Sequence, residues 1–138
     1  MGTLFLAESL SESLDAFARR AYPNETCGLL LGIDSGREHL VASVREARNL
    51  NYERARDRYE LDPRDFLAAE REARAAGLDV VGIWHTHPDH PARPSATDRA
   101  GAWAQWSYVI LSVNHDGVRE RRSWRLNGSE FEEETIRS

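Results

Sequence analysis

The chain has no lysine: all 18 of its basic residues are arginine, although lysine is normally among the commonest residues. That excludes mechanisms built on a lysine amine: a Schiff base, a pyridoxal phosphate enzyme, a P-loop NTPase, a Ser-Lys dyad. There is one cysteine, Cys27, which excludes an internal disulfide, a Cys-rich zinc site and a CxxC redox pair. A basic excess is missing too, since 23 acidic residues against 18 basic give a net charge of −5. Nucleic-acid binders usually show a basic stripe. Here the arginines are scattered among acids, except for Arg119–Arg122 with Arg125, read as one exposed face of a strand. No nucleic-acid partner is expected. No apolar run approaches the roughly 20 residues that cross a bilayer, so no membrane partner is expected either. The start Leu4-Phe5-Leu6 is too short for a signal sequence and the first basic residue is Arg19, so the expected location is cytoplasmic and reducing. What chemistry remains must come from His, Asp, Glu, Ser, Tyr or Arg.

Apolar residues make up 41% and charged residues 30% of 138, which suits one globular domain over residues 1–138. Met1–Leu6 reads as a short edge strand. Ser9–Ala21 reads as a helix, with Leu10, Leu14, Phe17 and Ala21 at three- and four-residue spacing, ended by Pro23. Cys27–Ile33 is a compact apolar run that fits a buried strand. Asp34-Ser35-Gly36 marks a turn, and Glu38–Arg45 returns as a hairpin strand whose period is not clean. Asn49–Arg58 reads as a polar loop and Tyr59–Leu61 as a short strand. Asp62 and Pro63 look like an N-cap and a first helical residue, opening a helix over Pro63–Ala76 with Gly77 after it. Asp79–Trp84 is a second apolar strand. Three of the five prolines fall in Pro88–Pro94, so that stretch is neither helix interior nor central strand. Ser95 caps a helix over Ala96–Ala104. Tyr108–Val113 and Val118–Leu126 are further strands, and Glu130–Ser138 is a last strand or a frayed tail. The class is α/β, or α+β with a mixed sheet flanked by helices.

The informative stretch is Trp84-His85-Thr86-His87-Pro88, followed by Ser95-Ala96-Thr97-Asp98. In an extended chain, residues two apart share a face. The two imidazoles therefore point one way, about 7 Å apart at the backbone, close enough to share a metal ion. Pro88 is expected to stop the strand, leaving the histidines at its rim. Asp98 falls three residues after the cap Ser95 and is brought back by the proline-rich loop. Two histidines and a carboxylate are the three-ligand set of a catalytic zinc site, where zinc lowers the pKa of a bound water to near 7. Taken singly, each residue has a plainer reading: a polar strand rim, a helix-start acid, an N-cap. The specificity lies in the combination.

His85-x-His87-Pro88, then six residues, then Ser95-x-x-Asp98 resembles the JAMM motif of the MPN-domain metalloproteases. Pro23-Asn24-Glu25-Thr26-Cys27-Gly28-Leu29-Leu30-Leu31-Gly32 is similar to the segment that holds the family's upstream glutamate. The likeness runs from the first helix to the strand after Asp98, with no ligand substituted. It implies an MPN/JAMM fold related to the cytidine deaminases, although their Pro-Cys-x-x-Cys element is absent. It implies His85, His87 and Asp98 as zinc ligands. Glu25 would be the general base, moving a proton from the zinc-bound water to the leaving amine, and Ser95 the donor to the tetrahedral oxyanion. Whether Ser95 does this or mainly caps its helix is left open at this point. Cys27 is expected to be a buried small apolar residue, His90 to face solvent, Trp84 to lie in the core opposite His85, and Tyr59 to be a candidate lining residue of the groove.

The family members that act on ubiquitin carry insertions for which 138 residues leave little room. The resemblance is therefore to the short stand-alone prokaryotic type. It implies hydrolysis of the amide bond after the C-terminal Gly-Gly of a small ubiquitin-like or sulfur-carrier protein, releasing an amino acid such as cysteine, or a peptide. The alternatives are a non-catalytic MPN module that binds a carrier protein, and a zinc amidase for small molecules. The oligomeric state is open, a homodimer being one option.

Overall fold

A computed structural model describes residues 2–138. Its strands are β1 (Thr3–Phe5), β2 (Cys27–Ser35), β3 (Glu38–Ala47), β4 (Asp79–Pro88), β5 (Ser107–Asn114), β6 (Gly117–Asn127) and β7 (Glu130–Arg137). Its helices are α1 (Glu8–Ala21), α2 (Pro63–Ala75) and α3 (Ala96–Ala100). The strands are hydrogen-bonded in the order β1-β3-β2-β4-β5-β6-β7 and the ladder closes on itself. The sheet is mixed: β1 runs parallel to β3 and to β7, and β4 parallel to β5, while the other pairs are antiparallel. The mixed sheet with helices on it is the expected class.

The apolar stripe of α1 packs Leu10, Leu14 and Phe17 onto Leu30, Trp84, Val109 and Leu111. Leu14 is fully buried there, worth about 2 kcal/mol of transfer free energy. On the other face of β2 and β4, α2 packs Ala69 and Ala73 against Leu29, Leu31 and Ile83. With a helix on each side, β2 is buried on both faces over its first six residues, so it reads as a run and not an alternation. Asp62 caps α2 by accepting a hydrogen bond from the Arg64 amide at 2.9 Å, and Gly77 ends it with φ at 73°, a left-handed conformation that suits glycine. Gly28 is required by close approach: a Cβ there would lie 2.5 Å from Nε1 of Trp84.

Several expectations change. The edge-strand reading of Met1–Leu6 fails, Met1 itself lying outside the described residues, because β1 has a neighbour on each side and closes the barrel. Tyr59–Leu61 is no strand; the one bridge there joins Leu61 to Asn49. The helix expected over Ala96–Ala104 stops at Ala100, one residue before Gly101. The unclean period of β3 has a physical cause, since Leu31 pairs with Ser43 and Gly32 with Val41. Ala42 is left unpaired as a bulge, and the buried set changes phase from His39 and Val41 to Val44. The arginines of β6 do not share one face. Arg121 pairs with Asp15 of α1, Arg122 with Glu120 and Glu133, and Arg125 with the buried Glu134. The tail is strand β7 and not frayed.

Candidate metal centre

β4 does not stop before its histidines. Past the Cys27–His85 pairing the ladder to β2 ends, and β4 runs on beside β5 to Pro88, where a proline removes no bond to β2. His85 and His87 therefore sit within the sheet and are buried, a correction to the expected rim. Residues two apart share a face, and the Nε2 atoms of His85 and His87 lie 3.1 Å apart. Oδ2 of Asp98 is 3.3 Å from the first and 3.1 Å from the second. A tetrahedral ion with ligands at about 2.0–2.1 Å spaces them by roughly 3.3–3.4 Å, so this triangle already has the size of a metal site.

The chemistry of the donors fits as well. Nδ1 of His87 lies 2.8 Å from the carbonyl of Pro91, a contact that needs the ring hydrogen on Nδ1 and leaves the Nε2 lone pair facing the triangle. His85 is placed without a hydrogen bond on Nδ1, by burial and by Tyr59, whose ring stacks on it at 4.5 Å between centroids. Burial lowers the His85 pKa and so favours the neutral ring, the form that ligates. At Asp98, burial opposes the charge, but the contacts with His85 and His87 outweigh it and hold the carboxyl well below the usual carboxylate range. A cation between the three atoms would let both imidazole lone pairs and the carboxylate face one another without repulsion.

Asp98 is held by a capping box. The amide of Asp98 donates to Oγ of Ser95 at 3.0 Å, and the amide of Ser95 donates to Oδ2 of Asp98 at 2.8 Å. The cap uses Ser95 as an acceptor and leaves its O–H hydrogen available to donate, so capping and oxyanion binding are compatible. Glu25 is buried, and its amide donates to the Ala55 carbonyl at 2.5 Å. Burial pushes its carboxyl up to about 7, the positive side of His87 pulling down and Asp98 pushing up. Cys27 is fully buried, as expected, and burial pushes its thiol up to about 12. Glu25, Tyr59, His87, Ser95 and Asp98 all line one cleft of about 360 Å³. His90 is exposed as expected, yet it also lines this cleft. Trp84 is in the core on the opposite face.

Two supports were not visible in the sequence. Asn49, inside a stretch read only as polar loop, donates from Nδ2 to the carbonyls of Glu25 at 3.2 Å and Arg58 at 3.0 Å. Its Oδ1 accepts from the amides of Asn51 and Glu60. The loop around Pro91 is gripped from β5 and β6. Ser112 donates to the His90 carbonyl at 2.5 Å, Trp124 Nε1 donates to the Ala92 carbonyl at 3.0 Å, and Glu120 accepts from the Ala92 amide at 2.8 Å.

Residues 7–127 match the family described as prokaryotic homologs of the JAB domain. The chain is 35% identical to a desampylase of Haloferax volcanii, over 96% of this chain and 94% of that one. It is 31% identical to the CysO-cysteine peptidase of Mycobacterium tuberculosis, over 96% and 89%. The solution structure of protein DSY2949 from Desulfitobacterium hafniense superposes with a TM-score of 0.85 at 33% identity, covering 96% of this chain and 90% of that one.

Proposed function

The chain belongs to the prokaryotic JAB-domain family, and from that membership we propose that it is a zinc peptidase acting on small carrier proteins. It hydrolyses the amide bond after the C-terminal Gly-Gly of a ubiquitin-like or sulfur-carrier protein and releases the attached amino acid or peptide. One observation carries the reading: the triangle of His85, His87 and Asp98 reaches, through His87 and Asp98, the same cleft as Glu25 and Ser95. The relatives named for desampylase and for CysO-cysteine peptidase activity support the substrate class.

His85, His87 and Asp98 would hold the zinc. Bound there, it would supply a Lewis acid and would lower the pKa of the attacking water. Glu25 accepts a proton from the attacking water and passes it to the departing amine, and burial, which raises its carboxyl, makes it the more basic for the first move. The Ser95 hydroxyl donates to the oxygen that gains charge as the carbonyl becomes tetrahedral. Tyr59 shields His85 from solvent on the cleft side. A carrier tail of two glycines enters a narrow cleft in extended form, which a bulkier tail cannot do. No helix among the described residues is long and apolar enough to cross a membrane; we place the enzyme in the cytoplasm, where its single cysteine stays reduced.

The test is hydrolysis of a carrier protein extended by one residue after Gly-Gly. Glu25→Gln should lower kcat by about 10²–10⁴-fold while elemental analysis still finds about one zinc per chain. A Glu25→Gln enzyme as fast as the parent would sink the mechanism. A protein that takes up no zinc would favour the non-catalytic module.

A further inference from the structure

We infer that Arg58, helped by Arg93, binds the α-carboxylate of the departing amino acid. The preferred substrate is then a carrier whose terminal glycine is α-linked to one free amino acid, not isopeptide-linked to a protein lysine, a preference that rests on the peptidase reading above.

The geometry starts at Asn49, whose single amide nitrogen holds the carbonyls of both Glu25 and Arg58. The backbones of the proton carrier and of this arginine are thus tied together, and both residues line the cleft. Arg58 is half-buried. One end of its guanidinium donates from Nη1 to the Asp57 carbonyl at 2.9 Å, leaving the remaining N–H groups for a ligand. Its acidic neighbour is already occupied, because Asp57 pairs with Arg54 at 2.6 Å. Among the described residues neither Arg58 nor Arg93 forms an ion pair with a carboxylate. The cleft is also lined by Glu25, Asp57 and Asp98, and its two arginines are left without a direct carboxylate partner.

The reaction then decides where a carboxylate would fall. Hydrolysis breaks the C–N bond: water oxygen joins the glycyl carbon, and a proton carried by Glu25 goes to the nitrogen. The departing nitrogen must therefore pass beside Glu25. In an α-linked amino acid the carboxylate is two bonds from that nitrogen, on the same cleft that Arg58 and Glu25 both line. In an isopeptide the same carbon is six bonds away and is itself an amide. Guanidinium binds carboxylate through paired, charge-assisted hydrogen bonds, and a cleft of about 360 Å³ suits a Gly-Gly tail with one small amino acid.

The experiment uses the zinc-loaded protein and a small carrier ending in Gly-Gly, extended by one alanine. The alanine is present as the free acid or as its carboxamide, and a third probe carries lysine amide through Nζ. The expected result is a kcat/KM at least tenfold higher for the free acid than for either other probe. Arg58→Gln and the double variant with Arg93→Gln should bring the acid-to-amide ratio to within about twofold, mainly through a higher KM for the acid. Equal rates on acid and amide by the unaltered enzyme, or faster cleavage of the isopeptide, would overturn the inference while leaving the peptidase reading intact. Cleavage of none of the three would overturn both.

Discussion

At the scale of single residues, the site divides into groups that announce themselves and groups that do not. His85, His87, Ser95 and Asp98 were legible because their spacing is fixed by strand and helix geometry: two residues on a strand share a face, and three residues span a capping box. Glu25 became legible only through its likeness to a family segment, since a lone acid ahead of a strand has no spacing of its own. Asn49 had no signal at all, because nothing local distinguishes one asparagine in a polar loop from another. Its importance is in the partners the fold brings to it. All four of its hydrogen bonds are made, two to the carbonyls of Glu25 and Arg58 and two from backbone amides. Asn49→Asp keeps the acceptor half and turns the donor into an oxygen facing two carbonyls. At about 1 kcal/mol for each lost bond plus the repulsion, the expected loss of stability is about 2–4 kcal/mol. kcat should fall by more than tenfold as Glu25 loses its placement. Denaturant unfolding and steady-state kinetics read the two effects, and an Asn49→Asp enzyme with kcat within twofold of the parent would remove Asn49 from the site.

At the scale of elements, strand periodicity placed most of the sheet, and its failures have causes beyond the local sequence. The phase change in β3 comes from a bulge opposite β2, and a bulge depends on the partner strand. β4 passes through its histidines because β5 supports it after β2 has ended, and it stops at Pro88 as the proline predicts. The loop after Pro88 matters more than its irregular sequence suggests. Its Pro91 carbonyl sets the His87 tautomer, and its flanks are fixed by Ser112 and Trp124 from strands β5 and β6. Tyr22 adds a bond from its hydroxyl to Asp89 at 2.9 Å. Partners outside the ligand set typically matter by 10–100-fold in metal affinity. Ser112→Ala removes one of the anchors and keeps the packing volume nearly unchanged. Zinc affinity, measured by competition with a chelator, should fall about tenfold or more, with a loss of folding stability of only about 1–3 kcal/mol. An unchanged affinity would show that the sheet alone places His87.

At the scale of the whole molecule, the closing of the barrel draws on a buried polar network far from the metal triangle. His39 of β3 lies at 0% exposure, with Nδ1 2.8 Å from Oγ of Ser107 in β5. Arg125 of β6 donates to that same Oγ at 3.1 Å and to Glu134 of β7 at 2.9 Å, and it also reaches the carbonyls of Gly36 and Arg37 in the β2–β3 turn. The Ser107 oxygen accepts from Arg125, which leaves its hydrogen free to point to Nδ1 of a neutral His39. Nε2 is 3.1 Å from Asp34 but makes no aligned hydrogen bond. Burial lowers the His39 pKa first, the Arg125 charge lowers it further, and Asp34 and Glu134 only partly oppose them. The folded state therefore binds this proton less readily than the unfolded chain, whose histidine titrates near 6.5. Stability from this group is complete above about 6.5 and is lost as pH falls from there through the lower folded value, at up to about 1.4 kcal/mol per pH unit. His39→Gln keeps a polar group in place and removes the titration. Denaturant unfolding of zinc-free protein at pH 7.5, 6.0 and 5.0 should show the parent losing stability more steeply than His39→Gln, with the gap opening below about 6.5. The site histidines titrate in both proteins and cancel in the difference. Parallel pH slopes would mean that the network tolerates a charged His39 and that closure of the barrel does not depend on its neutral form.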